Sequence, residues 1–236
     1  MSNASKPRAS ANAAWRAIVA LLAFGVMTDR DVNAADALHW ATGAAFERTL
    51  AENVNIRWTN VPLRRAIRHL SEAKHAAILI DRRVDPDQKL NVTLENVPLG
   101  AAMQTIARDL GLGVARLGNV LYLGPASVAE RLPGLAASLQ REVRRLPAAA
   151  QRKYLSSKRL AWDDLAAPRD LLARLATESG VEITGIERFP HDLWAGADLP
   201  PLSLVDRLTL IAAQFDFTFA LSQGVRRLDL TPLADD

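Results

Sequence analysis

Apolar and polar positions along residues 54–125 follow two periods in turn. Val54, Ile56 and Trp58 alternate with Asn55, Arg57 and Thr59, and a side-chain period of two gathers the apolar three on one face of a strand. Pro62 then opens a helix, because a first-turn residue needs no N–H partner. Leu63, Ala66, Ile67, Leu70 and Ala73 fall on the i, i+3, i+4, i+7 stripe, with Arg64, Arg65, Arg68 and Glu72 outside it. An apolar strand, Ala77 to Ile80, and a turn-rich segment, Asp81 to Gln88, precede a second alternating strand of Leu90, Val92 and Leu94. A second helix starts near Pro98, with the stripe Leu99, Ala102, Met103, Ile106 and Leu110, and Gly111 and Gly113 are expected to close it. Two short strands, Val114 to Leu117 and Val120 to Leu123, are joined by Gly118-Asn119, a dipeptide suited to a tight hairpin.

The pattern recurs at a shift of 105 residues: Ile67 falls on Leu172, Ile78 on Ile183, Leu99 on Leu204, Met103 on Leu208, Ile106 on Ile211 and Val114 on Phe219. Trp58 corresponds to Trp162 with a slip of one residue, and Gly118-Asn119 to Gln223-Gly224. The expected fold is α+β: two tandem βαββαββ-type modules, each a helix layer on a sheet layer, at 52–125 and 158–234. Each copy is near the lower size limit for a self-sufficient core, so packing of the copies on each other or on a partner is expected. Residues 126–157 read as a helical connector, interrupted by Pro133-Gly134 and Pro147, whose Leu135, Leu139, Val143 and Leu146 dock on a module.

Residues 1–34 have the order of a secretory signal peptide: Lys6, Arg8 and Arg16, an apolar run from Ala17 to Met27, then Val32-Asn33-Ala34 at a cleavage position. Eleven apolar residues are too few to cross a bilayer that needs roughly 20. Cleavage after Ala34 is expected, giving an exported product that is periplasmic or associated with the outer membrane.

Charge changes meaning once that segment is set aside. The chain has 29 basic and 26 acidic residues, a formal +3. The leader holds Lys6, Arg8, Arg16 and Arg30 against Asp29 and Asp31, so the remainder is 25 against 24, a formal +1. Nucleic-acid binding loses its electrostatic support. Basic charge gathers instead in the connector, where Arg141, Arg144, Arg145, Arg152 and Lys153 read as candidate contacts for an anionic envelope partner, including a membrane surface.

The residues of the first copy carry a resemblance. IRWTNVPLRRAIRHLSEA, AAILIDRRV and KLNVTLENVPLGAAMQTIARDLGLGVARLGNVLYLGP combine a strand ending in an aromatic, "VPL" before a helix, a "VTL…NVPL" passage and a "GNVLYL" hairpin. This resembles the short N-terminal (STN) domain of secretins and TonB-dependent receptors. The second copy diverges, with FPHDLWAGADLPPL in place of the alternating strand and Asp163-Asp164 in place of Thr59-Asn60. The resemblance implies a module that works by protein contacts in the periplasm. Neither a secretin pore nor a receptor barrel follows Leu233, so the chain is expected to act as an adaptor or a subunit of a secretion, transport or envelope-signalling system, with self-association allowed.

Chemical alternatives fare less well. The chain has no cysteine, which excludes disulfides and thiolate chemistry. Asp81, Asp85 and Asp87 are too incomplete for a calcium loop and read as a turn with solvated side chains. His69 and His75 are six apart, off the i, i+4 spacing of a helical metal pair, and His75 reads as part of a helix cap. His191 and Asp192 are adjacent and point opposite ways in an extended chain, so no general base oriented by a carboxylate is expected. No catalytic residue, cofactor site or metal site is therefore assigned, and the chain reads as no enzyme. The alternative to a protein partner is a glycan or lipid bound between the copies, where Trp162, Trp194 and neighbouring arginines are expected to line a cleft.

Overall fold

The computed structural model describes Met1, residues 39–222 and residues 226–233. The expected leader and the hairpin tip Gln223-Gly224 lie outside the described residues. A short helix, α1 (Ala44–Ala51), which the apolar pattern did not single out, precedes the first module. That module runs β1 (Asn53–Pro62), α2 (Leu63–Lys74), β2 (Ala77–Ile80), β3 (Lys89–Pro98), α3 (Leu99–Asp109), β4 (Leu112–Leu117) and β5 (Val120–Pro125). Two connector helices follow, α4 (Ala126–Val143) and α5 (Ala148–Leu155). The second module runs β6 (Lys158–Trp162), α6 (Pro168–Ser179), β7 (Glu182–Thr184), β8 (Ala197–Leu202), α7 (Leu204–Ala212), β9 (Phe217–Ser222) and β10 (Arg227–Pro232).

Both modules have the same topology. In the first, β1 pairs antiparallel with β3, and a three-stranded sheet has the order β2-β5-β4 with β2 parallel and β4 antiparallel to β5. In the second, β6 pairs antiparallel with β8, and the sheet β7-β10-β9 repeats the parallel and antiparallel pairs. Helix α2 begins at residue 63 and α6 at 168, α3 at 99 and α7 at 204, the 105-residue offset of the sequence pattern. The fold is α+β, as the two periods imply.

A second, shorter repeat is nested in the first module. Strand β1 spans 53–62 and β3 spans 89–98, an offset of 36 residues that α2 and α3 share at their starts. Asn60 (φ 55°) and Asn96 (φ 53°) occupy equivalent left-handed positions where the ladder register shifts. Each is held by the opposite strand: the Asn60 N–H donates to Asn91 Oδ1 (2.9 Å) and the Asn96 N–H to Asn55 Oδ1 (2.8 Å). Asparagine tolerates this conformation better than other residues with a Cβ. Pro62 and Pro98 sit one position outside their helices, as the last residue of each strand.

Two cores share the first module's sheet. On one face Ile78, Ile80, Leu121 and Leu123 join Leu63, Ile67, Leu99, Met103 and Ile106 from α2 and α3. On the other, Ala77, Leu79, Ala115, Leu117, Val120 and Tyr122 face a second core made with the connector and the second module. The connector is thus a layer of the core, beyond the docked solvated helix expected. Val128, Ala129, Leu132, Ala136, Leu139 and Val143 of α4 are buried, and the helix continues through Pro133. Leu146 docks on that core as expected, half-buried, and Leu135 is half-buried as well. Gly113 does not end α3, as expected, but lies within β4, where a Cβ would come within 2.7 Å of Ala129 Cβ, so a side chain there would push α4 off the sheet. Gly111 (φ 69°) is the residue that turns the chain.

The second module's helix α7 is buried along its whole length. Ser203 caps it: its Oγ accepts from the Asp206 N–H (3.1 Å) and donates to Asp206 Oδ2 (2.7 Å), while Gln140 Nε2 of α4 donates to Asp206 Oδ1 (2.9 Å). Beside it Arg207 is 1% exposed, and burial lowers its pKa from the ordinary guanidinium value, with Glu178 3.9 Å away as its acidic neighbour.

Candidate functional site: the cleft between the modules

A cleft of about 420 Å³ lies where α2 and β2 of the first module face β6, β8 and the 192–196 segment of the second. Its apolar lining includes Ile67, Ile78, Ile80 and Pro86 on one side and Trp162, Leu193 and Trp194 on the other. Trp162 (7% exposed) and Trp194 (6%) come together with ring centroids 5.6 Å apart. Their indole N–H groups are already engaged, Trp162 Nε1 to the Ala195 carbonyl (2.8 Å) and Trp194 Nε1 to Asp192 Oδ2 (3.1 Å). Trp194 also stacks on Phe215 at 5.7 Å. The two tryptophans are walls of the cleft, built into the core, with little surface left for a partner.

A polar bridge between the modules contributes to the lining of the cleft. Arg82 Nε donates to Asp192 Oδ2 (2.6 Å), its guanidinium lies 4.5 Å from the Phe215 ring centre, and its backbone N–H donates to Gln214 Oε1 (3.0 Å). Arg83 donates to both Asp81 oxygens (2.9 Å each) and, through Nη1, to Asp216 Oδ1 (2.7 Å). The Tyr122 hydroxyl donates to Asp81 Oδ2. Burial pushes the Tyr122 phenol far above its usual pKa of 10, and the Asp81 carboxylate pushes it further. Asp81 therefore departs from the solvated turn expected for it: its side chain is fully buried between a cation and a phenol. Asp85 and Asp87 are exposed, as a turn implies, with the Asp87 N–H donating to Asp85 Oδ1 (2.9 Å).

The charged lining divides into engaged and unengaged groups. Asp164 Oδ1 accepts from the Gly196 N–H (2.6 Å), Asp192 is held by Arg82, and Asp198 takes both oxygens to Arg159 (2.6 Å each). Arg64 and Arg68, exposed on α2 and four residues apart, line the opposite rim and meet no acidic group among the described residues.

The connector candidates lie away from this cleft. Arg141, Arg144, Arg145 and Arg152 are exposed, and none pairs with an acid among the described residues. Arg141 Nε turns back to the Ala137 carbonyl (3.3 Å). Lys153 differs: its Nζ donates to the Gly180 carbonyl (2.8 Å), tying α5 to the C-terminal end of α6. His75 is the left-handed cap of α2 (φ 51°), and His191 is exposed and apart from the Arg82–Asp192 pair. Among the described residues no cluster of three or more His, Asp or Glu could hold a metal, and no helix is long and apolar enough to cross a membrane.

The residues sequence reasoning missed here are Arg64, Arg68, Arg82 and Gln214. Two arginines at i, i+4 on an amphipathic helix were the available signal for the first pair; nothing local marks Arg82 and Gln214, which meet 132 residues apart. No protein-family model and no curated protein matches the chain.

Proposed function

We propose that the protein is a non-catalytic interaction protein of the cell envelope, exported behind a cleaved leader and serving as an adaptor or subunit of a secretion, transport or signalling system. The observation that carries this reading is the β1–β3 ribbon. Its two ten-residue strands pair only with each other among the described strands, so both outer edges offer backbone donors and acceptors to an extended partner segment. Asn55, Arg57, Lys89, Asn91 and Glu95 keep one face of the ribbon polar and exposed while Val54, Ile56, Leu90 and Val92 bury the other. The resemblance of this stretch to STN domains supports the same reading. Photo-crosslinkers at Arg57 and Thr93 in intact cells should trap one protein that a crosslinker at Glu178, on α6, does not. Equal capture from all three positions, or capture from none, would remove the reading. Amino-terminal sequencing of the envelope-fraction protein checks the leader: a chain starting at Ser2 would show that it is retained.

A second reading is favoured by a separate observation. The cleft has the size of a small-ligand site, about 420 Å³ against a usual range of roughly 300–1,000 Å³, and combines apolar walls with unengaged charge. On this reading the protein binds an envelope glycan or lipid between its modules.

A further inference from the structure

We propose that the intermodule cleft takes an amphiphilic anion, a carboxylate or phosphate group carried on an apolar body. This rests on the second reading, the cleft as a ligand site, and names the ligand class. The polar groups of the lining with hydrogen-bonding capacity to spare decide it. On the second module's wall Asp192 is engaged by Arg82 and Trp194 and Asp198 by Arg159, while Asp164 holds the Gly196 N–H through one oxygen and meets no basic group among the described residues. Asp81, also in the lining, is engaged by Arg83 and Tyr122.

The α2 rim is the opposite case. Arg64 and Arg68 stand one turn apart on the exposed face, each with five N–H donors, and neither meets an acid among the described residues. Glu72, four residues beyond Arg68, is the one carboxylate on that rim, so its free charge is net positive. An anionic head between the two guanidinium groups would accept charge-assisted hydrogen bonds, the stronger kind. Below them Ile67, Ile78, Ile80 and Pro86 form one apolar wall, and Leu193, 63% exposed, faces them from the second module. Apolar walls leave the hydroxyls of a neutral glycan unpaired and suit an alkyl or aromatic body. The indole N–H of Trp40, also in the lining, is buried without an acceptor among the described residues.

Titration of the full chain with dodecyl phosphate, octanoate, inorganic phosphate and dodecyl maltoside, read by tryptophan fluorescence below micellar concentrations, tests the assignment. Saturable binding of dodecyl phosphate or octanoate is expected, at least tenfold tighter than inorganic phosphate and than the maltoside. The tighter of the two separates a lipid-like source from a soluble acid. Arg64→Gln with Arg68→Gln should weaken that binding at least tenfold without moving the melting temperature of the free protein. Arg141→Gln with Arg145→Gln should leave binding unchanged. Inorganic phosphate binding as tightly as the amphiphiles would overturn the proposal, as would equal binding of the maltoside or equal loss in the connector variant. Binding of the maltoside alone overturns the anion and leaves the cleft a ligand site; no saturable binding by any of the four overturns both.

Discussion

In the first module β5 buries Leu121 and Leu123 against α2 and α3, and Val120 and Tyr122 against the connector and the second module. In the second module β10 buries only Leu228 and Leu230; Arg227 and Asp229 stand where Val120 and Tyr122 stand in the first. The inner faces match, leucine for leucine, because each must cover its own pair of helices. The outer faces differ because of where each copy lies in the stack. The first sheet is an interior layer and the second an outer one. Two copies of one topology have diverged at the positions where burial differs, and a strand buried on both faces reads as a continuous apolar run while a one-sided strand alternates.

Exchanging the outer-face residues should break that comparison most strongly. Tyr122→Asp would place a second carboxylate against Asp81 in the shared core and remove a buried ring, a loss expected to exceed about 5 kcal/mol and abolish cooperative thermal unfolding by circular dichroism. Arg227→Val, the reciprocal change, should shift stability by no more than about 0.5 kcal/mol. Comparable losses from the two would mean that both sheets are interior layers.

The shared core itself is tested by Leu132→Ala in α4, which should cost about 2–5 kcal/mol by leaving a cavity between the modules. Urea unfolding should then stay a single transition shifted to lower denaturant. A variant with two transitions, one at the wild-type midpoint, would show cores that fold separately. Asp81→Asn leaves the Arg83 charge without its buried partner and should cost on the order of 3 kcal/mol in the same measurement.

The bridge also has a pH signature. The Tyr122 phenol has a folded pKa raised above its unfolded value of 10 by burial and by Asp81, and burial raises Tyr154 as well. A raised folded pKa gives stability that is complete below the unfolded value and lost as pH rises above it, because the unfolded chain releases its proton first. Urea midpoints should therefore be flat between about pH 7 and pH 9 and fall above about pH 10. Tyr122→Phe should flatten part of that fall, leaving the share due to Tyr154.

The smallest effect concerns Asn60, whose left-handed position falls in the second copy on Leu165 and not on Asp164, the residue that stands in its place in the sequence comparison. Leu165, 105 residues on, keeps the left-handed backbone (φ 66°) with a side chain that is 71% exposed and ill-suited to it. Leu165→Asn should stabilise by up to about 1 kcal/mol, and Asn60→Leu should destabilise by a similar amount, both read from melting temperature.

Most of this architecture was legible along the chain because its determinants are local. The i, i+3, i+4 stripes of α2 and α3 and the alternation of β1 and β3 register burial on one side, and the 105-residue repeat transferred that reading to the divergent copy. Ala77 to Ile80 and Val120 to Leu123 also carried the sign of burial on two faces, as unbroken apolar runs. What stayed hidden depends on contacts between distant residues. Asp81 looked solvated because its phenol partner is 41 residues away, and the connector looked like a charged linker because the small residues Ala129 and Ala136 in its buried stripe are quiet beside its arginines. The cleft draws on residue 40, residues 64–86 and residues 162–199, with Gln214, and no stretch of sequence contains its outline.

Sharing a core also orders events during synthesis. The first module is complete at Pro125; α4, which packs on β4 and β5, follows by Val143, but β8, which meets β2, ends only at Leu202. At roughly 5–20 residues per second, the β2 side of that face waits about 4–15 s for its cover on every new chain. Ala77 and Leu79 then form a transient sticky surface, and a chaperone has that interval in which to occupy it.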